Sequence, residues 1–111
     1  MVSVGAFDVE SRSLDINDDK NRVLSIAVIG DKHPYGIVFS ADDEAEMLAQ
    51  FGQEARQYDV LLGWNSDAFD VPLLQARFKF QEIGMDAAFD EKVPLFLDCR
   101  RVHKDMLRKQ E

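Results

Sequence analysis

The first forty residues carry three apolar runs separated by polar turns, and the rest of the chain alternates helical spacing with short, wholly apolar stretches. VSVGAFDVE at residues 2–10 reads as a strand of β-branched and aromatic residues that turns acidic at its end. A polar turn or loop rich in Asp, Asn and Ser follows at residues 11–21. RVLSIAVIGD, residues 22–31, is a second strand, apolar on both faces. After the turn-like DKHPYG, the four residues IVFS at 37–40 make a third and shorter strand. A helix is predicted next: Ser40 and Asp42 are candidate caps, acids crowd the first turn, and Leu48, Phe51 and Ala55 recur at helical spacing. DVLLGW, residues 59–64, has the composition of a strand buried on both faces in a parallel sheet. A second helix is expected from near Pro72 to about Ile83, with Gly84 as its stop. VPLFLDC at residues 93–99 is a fifth strand, and Asp98 or Cys99 opens a last helical segment.

This β-β-β-α-β-α-β-α order predicts an α/β fold, a mixed five-stranded sheet with crossover helices in its second half. The natural arrangement places the meander as strands 3-2-1, strand 4 beside strand 1, and strand 5 outside it. Both crossovers then travel the same way, and right-handedness puts both helices on one face. The other face has only the 13-residue tail to cover it, and that much helix spans roughly 20 Å. A bare face predicts either a fragment of a longer domain, its C-terminal helices missing, or self-association through that face.

Composition narrows the classes. One globular domain fits 111 residues with 46% hydrophobic content. No apolar run approaches the roughly 18 residues of a membrane helix, and the N-terminus lacks the basic flank of a signal peptide, so a cytoplasmic protein is expected. A single Cys99 excludes an internal disulfide, and with two His it offers no zinc set. A formal net charge of −8 argues against holding nucleic acid by bulk attraction. The last thirteen residues run the other way, with Arg100, Arg101, Lys104, Arg108 and Lys109 against Asp105 and Glu111. They read as a solvated helix with basic residues near its C-terminus, or as a patch that touches phosphates.

Candidate chemistry lies in the carboxylates. Asp8 and Glu10 stand two apart at the end of a strand and leave the sheet on the same face. Acids at strand ends are common as solvated positions, but this strand is placed at the centre of the sheet, where α/β ligand sites gather. Asp70 is a carboxylate set among hydrophobes in GWNSDAFDVPLL, residues 63–74, at the start of the helix after strand 4. It is a possible N-cap and a third acid at the same sheet edge. Three acids together raise one another's pKa values, and hard divalent cations, Mg²⁺ or Mn²⁺, are the natural remedy. Phe69 and Trp64 read first as core packing, with Trp64 alternatively a platform for a base.

FDVE at residues 7–10, followed about 60 residues later by GWNSDAFDVPLLQARF, resembles the first and second motifs of the proofreading domain of family B DNA polymerases and of related DEDD-type 3′-to-5′ exonucleases. The resemblance runs from about Val2 through LFLDCRRVHK, in the family's order. It implies a ribonuclease-H-like fold of sheet order 3-2-1-4-5, a two-metal Mg²⁺ or Mn²⁺ site, and hydrolysis at the 3′ end of single-stranded DNA. By position it implies metal ligation by Asp8, Glu10 and Asp70, and places Asn65 and Phe69 near the 3′-terminal nucleotide, Asn65 by hydrogen bonding. Ser11 stands where the family usually has Thr. The third motif, Tyr followed four residues later by Asp or His followed five later by Asp, is not met: Tyr35, Tyr58, His33 and His103 lead to Phe39, Leu62, Val38 and Arg108. Residues 1–111 are therefore expected to be a partial exonuclease domain without robust activity alone. The alternatives are a non-catalytic ribonuclease-H-like binding module and another metal-dependent nuclease of the same fold.

Overall fold

A computed structural model describes residues 2–84 and 94–110. Five strands, β1 (Val4–Ser11), β2 (Val23–Gly30), β3 (His33–Phe39), β4 (Val60–Gly63) and β5 (Leu95–Asp98), form one sheet in the order β3-β2-β1-β4-β5. The first three pair antiparallel, and β1, β4 and β5 run parallel. Three helices accompany them, α1 (Glu44–Ala55), α2 (Asp70–Phe80) and α3 (Cys99–Gln110). This is the order that spacing and handedness predict, and the ribonuclease-H-like order that the resemblance implies. No helix among the described residues is long and apolar enough to cross a membrane.

Both crossover helices pack on one face. Phe7 and Val9 of β1, Ile26 and Val28 of β2 and Leu61 of β4 share a single buried cluster with Met47, Leu48 and Phe51 of α1 and Leu73, Leu74 and Phe78 of α2. The opposite face keeps its apolar side chains in solvent, among them Val4, Ile29, Val38, Leu95 and Leu97. Close approach shapes one corner. A Cβ at Gly30 would stand 2.8 Å from the Gly5 Cα and 2.8 Å from the buried Tyr58 ring.

Local details differ from the sequence reading at four places. β3 begins at His33, because only Asp31 and Lys32 form the turn; Gly36, at φ +86°, lets the strand carry on, and Pro34 is tolerated on its free edge. Asp43, rather than Ser40 or Asp42, caps α1, its Oδ1 accepting from the Ala45 and Glu46 N–H groups. α2 starts at Asp70, two residues before Pro72. It ends at Phe80, where Glu82 takes a left-handed conformation at φ 58° and the Ile83 N–H donates to the Phe78 carbonyl at 2.8 Å, so Glu82 and not Gly84 is the stop. Val93, the first residue of the expected fifth strand, lies outside the described residues.

One buried ion pair joins the helices. Arg77 of α2 donates to Glu44 at the start of α1, the shortest contact being 2.7 Å from Nη2 to Oε1, and both side chains are almost wholly buried. The remaining oxygen positions on Glu44 accept from the Val23 N–H at 2.6 Å and from Gln81 at 2.8 Å. Arg77 also donates to the Asp19 carbonyl and lies 4.3 Å over the Phe80 ring. Burial alone would push the Glu44 carboxyl up, but hydrogen bonds from Arg77, Gln81 and Val23 together with the Arg77 charge outweigh it and hold it below its ordinary value of 4.5. A lowered folded-state value contributes stability above pH 4.5 that is lost as the pH falls below it. Arg77→Met leaves a buried carboxylate unpaired and is expected to cost about 3–5 kcal/mol in urea unfolding, most of it recovered when Glu44→Met is added. A loss below about 1 kcal/mol for the single variant would show that the pair does not hold the helices.

Candidate active site

The three parallel strands deliver their C-terminal ends to one edge of the sheet. β1 pairs with β4 only through Ala6 opposite Leu62, so Asp8 and Glu10 lie beyond the end of β4. Their partners across β1 and β2 are Ala27 and Ser25, and both carboxylates are exposed, on the face opposite the buried Phe7 and Val9. Into the space past β4 folds the turn at residues 64–69, and after it α2.

Asp98, the last residue of β5, organises that turn. Its Oδ1 accepts from the Asn65 N–H at 2.8 Å and from the Arg100 N–H at 3.0 Å, while Oδ2 accepts from the Asp67 N–H at 3.1 Å. Asn65 enters the turn in the left-handed region at φ 58°, a conformation Asn tolerates. Its carbonyl then accepts from the Ala68 and Phe69 N–H groups. Gly63 is required just before, since a Cβ there would stand 2.7 Å from the Ser66 Cβ. Within the same turn Ser66 Oγ is a buried polar atom that lacks a partner among the described residues. Burial would raise the Asp98 carboxyl, yet hydrogen bonds from the backbone of Asp67, Arg100, Asn65 and Arg101 outweigh it and hold it below the ordinary range.

Asp70 has the opposite fate. It is the first residue of α2 and 6% exposed. The cap position belongs to Phe69, which makes no side-chain cap hydrogen bond, so Asp70 is not the N-cap that its place before Pro72 allows. Burial first, then the charges of Asp8, Glu10 and Asp98, push its carboxyl from 3.8 to about 6, against a hydrogen bond from the Val9 backbone. Asp8, Glu10, Asp70 and Asp98 thus share one electrostatic neighbourhood. No three of the His, Cys, Asp and Glu side chains among the described residues are drawn into a ready ligand set. The donors are nevertheless all carboxylate oxygens, and a buried acid raised by like charges is what a hard divalent cation would relieve. The donor set therefore fits Mg²⁺ or Mn²⁺.

The remaining positions separate. The Asn65 side-chain oxygen accepts from Arg100 at 2.8 Å. Phe69 is partly buried against the core cluster. Trp64 is 62% exposed, its ring centroid 6.1 Å from that of His103, which corrects the reading of Trp64 as core packing: β4 ends at Gly63, and the side chain projects past the sheet. Asp98 was legible only as a helix opener, because its contacts to Asn65 and Asp67 span more than 30 residues.

A ribonuclease-H-like sheet with carboxylates gathered at the ends of its parallel strands defines the class, and comparison supplies the family. Residues 11–93 match the model of the DNA polymerase family B exonuclease domain, and the chain belongs to that family. Trp64, Asn65, Phe69 and Asp70 fall inside the match; Asp8, Glu10 and Asp98 fall outside it. The family B DNA polymerase of the hyperthermophilic archaeon Pyrobaculum calidifontis has the same fold, with a TM-score of 0.70 and 23% identity over 94% of this chain and 16% of that one. No match was found among the curated proteins.

A carboxyl raised on folding destabilises the folded state as the pH rises from 3.8 through about 6, because the folded chain holds a proton that the unfolded chain releases. Asp70→Asn is therefore expected to stabilise the chain in EDTA by about 1–3 kcal/mol at pH 8, with the gain vanishing near pH 4. Thermal unfolding across that range measures it, and equal stability of the two proteins at pH 8 would remove the strain assigned to Asp70.

Proposed function

We propose that this chain is part of a 3′-to-5′ exonuclease domain that hydrolyses the terminal phosphodiester of single-stranded DNA, in a polymerase of family B or a close relative. The observation that carries the reading is Asp70, a buried carboxylate at the start of α2 that is loaded by Asp8 and Glu10 at the end of β1 in a family B exonuclease domain. Asp8, Glu10 and Asp70 would hold a pair of Mg²⁺ or Mn²⁺ ions. Bound there, the ions supply a water of lowered pKa and compensate charge on the leaving oxygen.

The protein's own groups position the strand. Asn65, held in its turn by Asp98 and approached by Arg100, presents its amide at the mouth of β4 for a hydrogen bond to the terminal nucleotide. Phe69 sits between that turn and Asp70 and backs the same nucleotide. Trp64 offers an exposed ring on which a base stacks, an interaction of about 1–3 kcal/mol.

The open spacing of the carboxylates favours, as a second reading, a ribonuclease-H-like module that binds a partner without catalysis. Mn²⁺ titration separates the two. The exonuclease reading expects selective paramagnetic broadening of Asp8, Glu10 and Asp70 resonances, lost in Asp8→Asn, whereas uniform or no broadening supports the binding module. Trp64 is the chain's one tryptophan, so stacking has a direct readout. A short oligothymidylate is expected to quench its fluorescence saturably, and an unchanged spectrum at saturating DNA would exclude Trp64 from the contact.

A further inference from the structure

The basic residues of α3 are not accounted for by helix stability. Cations favour the last turn of a helix, which suits Arg108 and Lys109, but Arg100 and Arg101 stand in the first turn, against the helix dipole, with no acid there to offset them. Arg100, Lys104 and Arg108 recur every fourth residue, so together with Arg101 they occupy one side of the helix. That side lines a groove together with Asn65, Asp98 and Asp105.

Four cations line the groove against two acids, Asp98 and Asp105, so it keeps a positive charge. Arg100 donates to the neutral amide oxygen of Asn65 rather than to a carboxylate. Arg101 meets Asp67 at 3.2 Å with both side chains in solvent, a weak pair. Lys104 and Arg108 have no acidic partner among the described residues. The Asp98 carboxylate is taken up by the N–H groups of its own turn. Asp98 also holds the 64–69 turn through the Asn65 and Asp67 N–H groups, and the residue that follows that turn is Asp70, so the groove adjoins the segment that carries the buried carboxylate.

We infer that this face of α3 is a track for the phosphodiester backbone of single-stranded DNA, delivering a strand past Asn65 to the carboxylates. From Arg100 to Arg108 the helix rises about 12 Å, against about 3.4 Å between phosphates along a stacked strand, so the track accompanies three or four phosphates. A chain of net charge −8 binds no polyanion by its overall field, which makes a local track the means by which it would do so. The inference rests on the exonuclease reading for its ligand, but it is tested without metal.

Binding of a 5′-fluorescein oligothymidylate is followed by anisotropy in EDTA over a range of salt. Lys104→Gln with Arg108→Gln is expected to weaken binding at least fivefold at low salt and to reduce the slope of log K against log salt by about 1.4. Lys104→Arg with Arg108→Lys, which keeps the charges and controls for folding, is expected to retain both affinity and slope. Neutral variants that bind as the parent does, with the same slope, would overturn the track. So would a parent that prefers an oligoglutamate peptide to the oligonucleotide. Because Mn²⁺ broadening at Asp8 is read in the absence of DNA, the track and the metal site can fail separately.

Discussion

The buried pair of Glu44 and Arg77 is the contact on which the other tertiary relations turn. The two residues are 33 positions apart, and a second charged contact, Glu54 of α1 with His33 of β3, ties the far end of α1 to the sheet edge. Glu44 ties the start of α1 to the Val23 N–H at the head of β2, and Arg77 ties α2 to the Asp19 carbonyl in the preceding loop. Burying two charges is costly, and the cost is offset only because nearly every oxygen and nitrogen of the pair is hydrogen-bonded. With the last turn of α2 held there, its first residue, Asp70, comes to rest beyond the end of β4.

Asp70 and Asp98 show how one sheet edge gives two acids opposite characters. Both are nearly inaccessible, and burial pushes both upward. Asp98 receives several backbone N–H groups from a turn that wraps around it, so its charge is welcome and shapes the turn. Asp70 receives little donation and faces three other carboxylates, so its charge is held at a cost. A structural acid thus holds the shape of the turn while its neighbour carries the electrostatic cost of the sheet edge.

Much of this was written in local spacing. Alternation and apolar runs gave the five strands, and handedness then ordered them 3-2-1-4-5 with both crossover helices on one face. Element ends were less legible. Ser40, Asp42 and Asp43 are all suitable caps, and only backbone geometry selects Asp43. Gly84 looks like the natural stop for α2, but the left-handed Glu82 and the Ile83 N–H bonded back to the Phe78 carbonyl set the stop at Glu82. Trp64 has the composition of a core residue, and the end of β4 one residue earlier leaves it in water.

The amino-acid sequence by itself determined the architecture, the bare sheet face and the acids at the ends of β1 and the start of α2, because periodicity and residue spacing are local properties that sterics and handedness convert into topology. The tertiary structure alone decided which acids are structural and which are strained, since that depends on donors brought from distant segments: Arg77 to Glu44, and the 64–69 turn to Asp98. The same holds for the side of α3 that carries Arg100, Lys104 and Arg108. Helical spacing put those cations on one side, and only the docking of Arg100 against Asn65 turned that side toward the 64–69 turn.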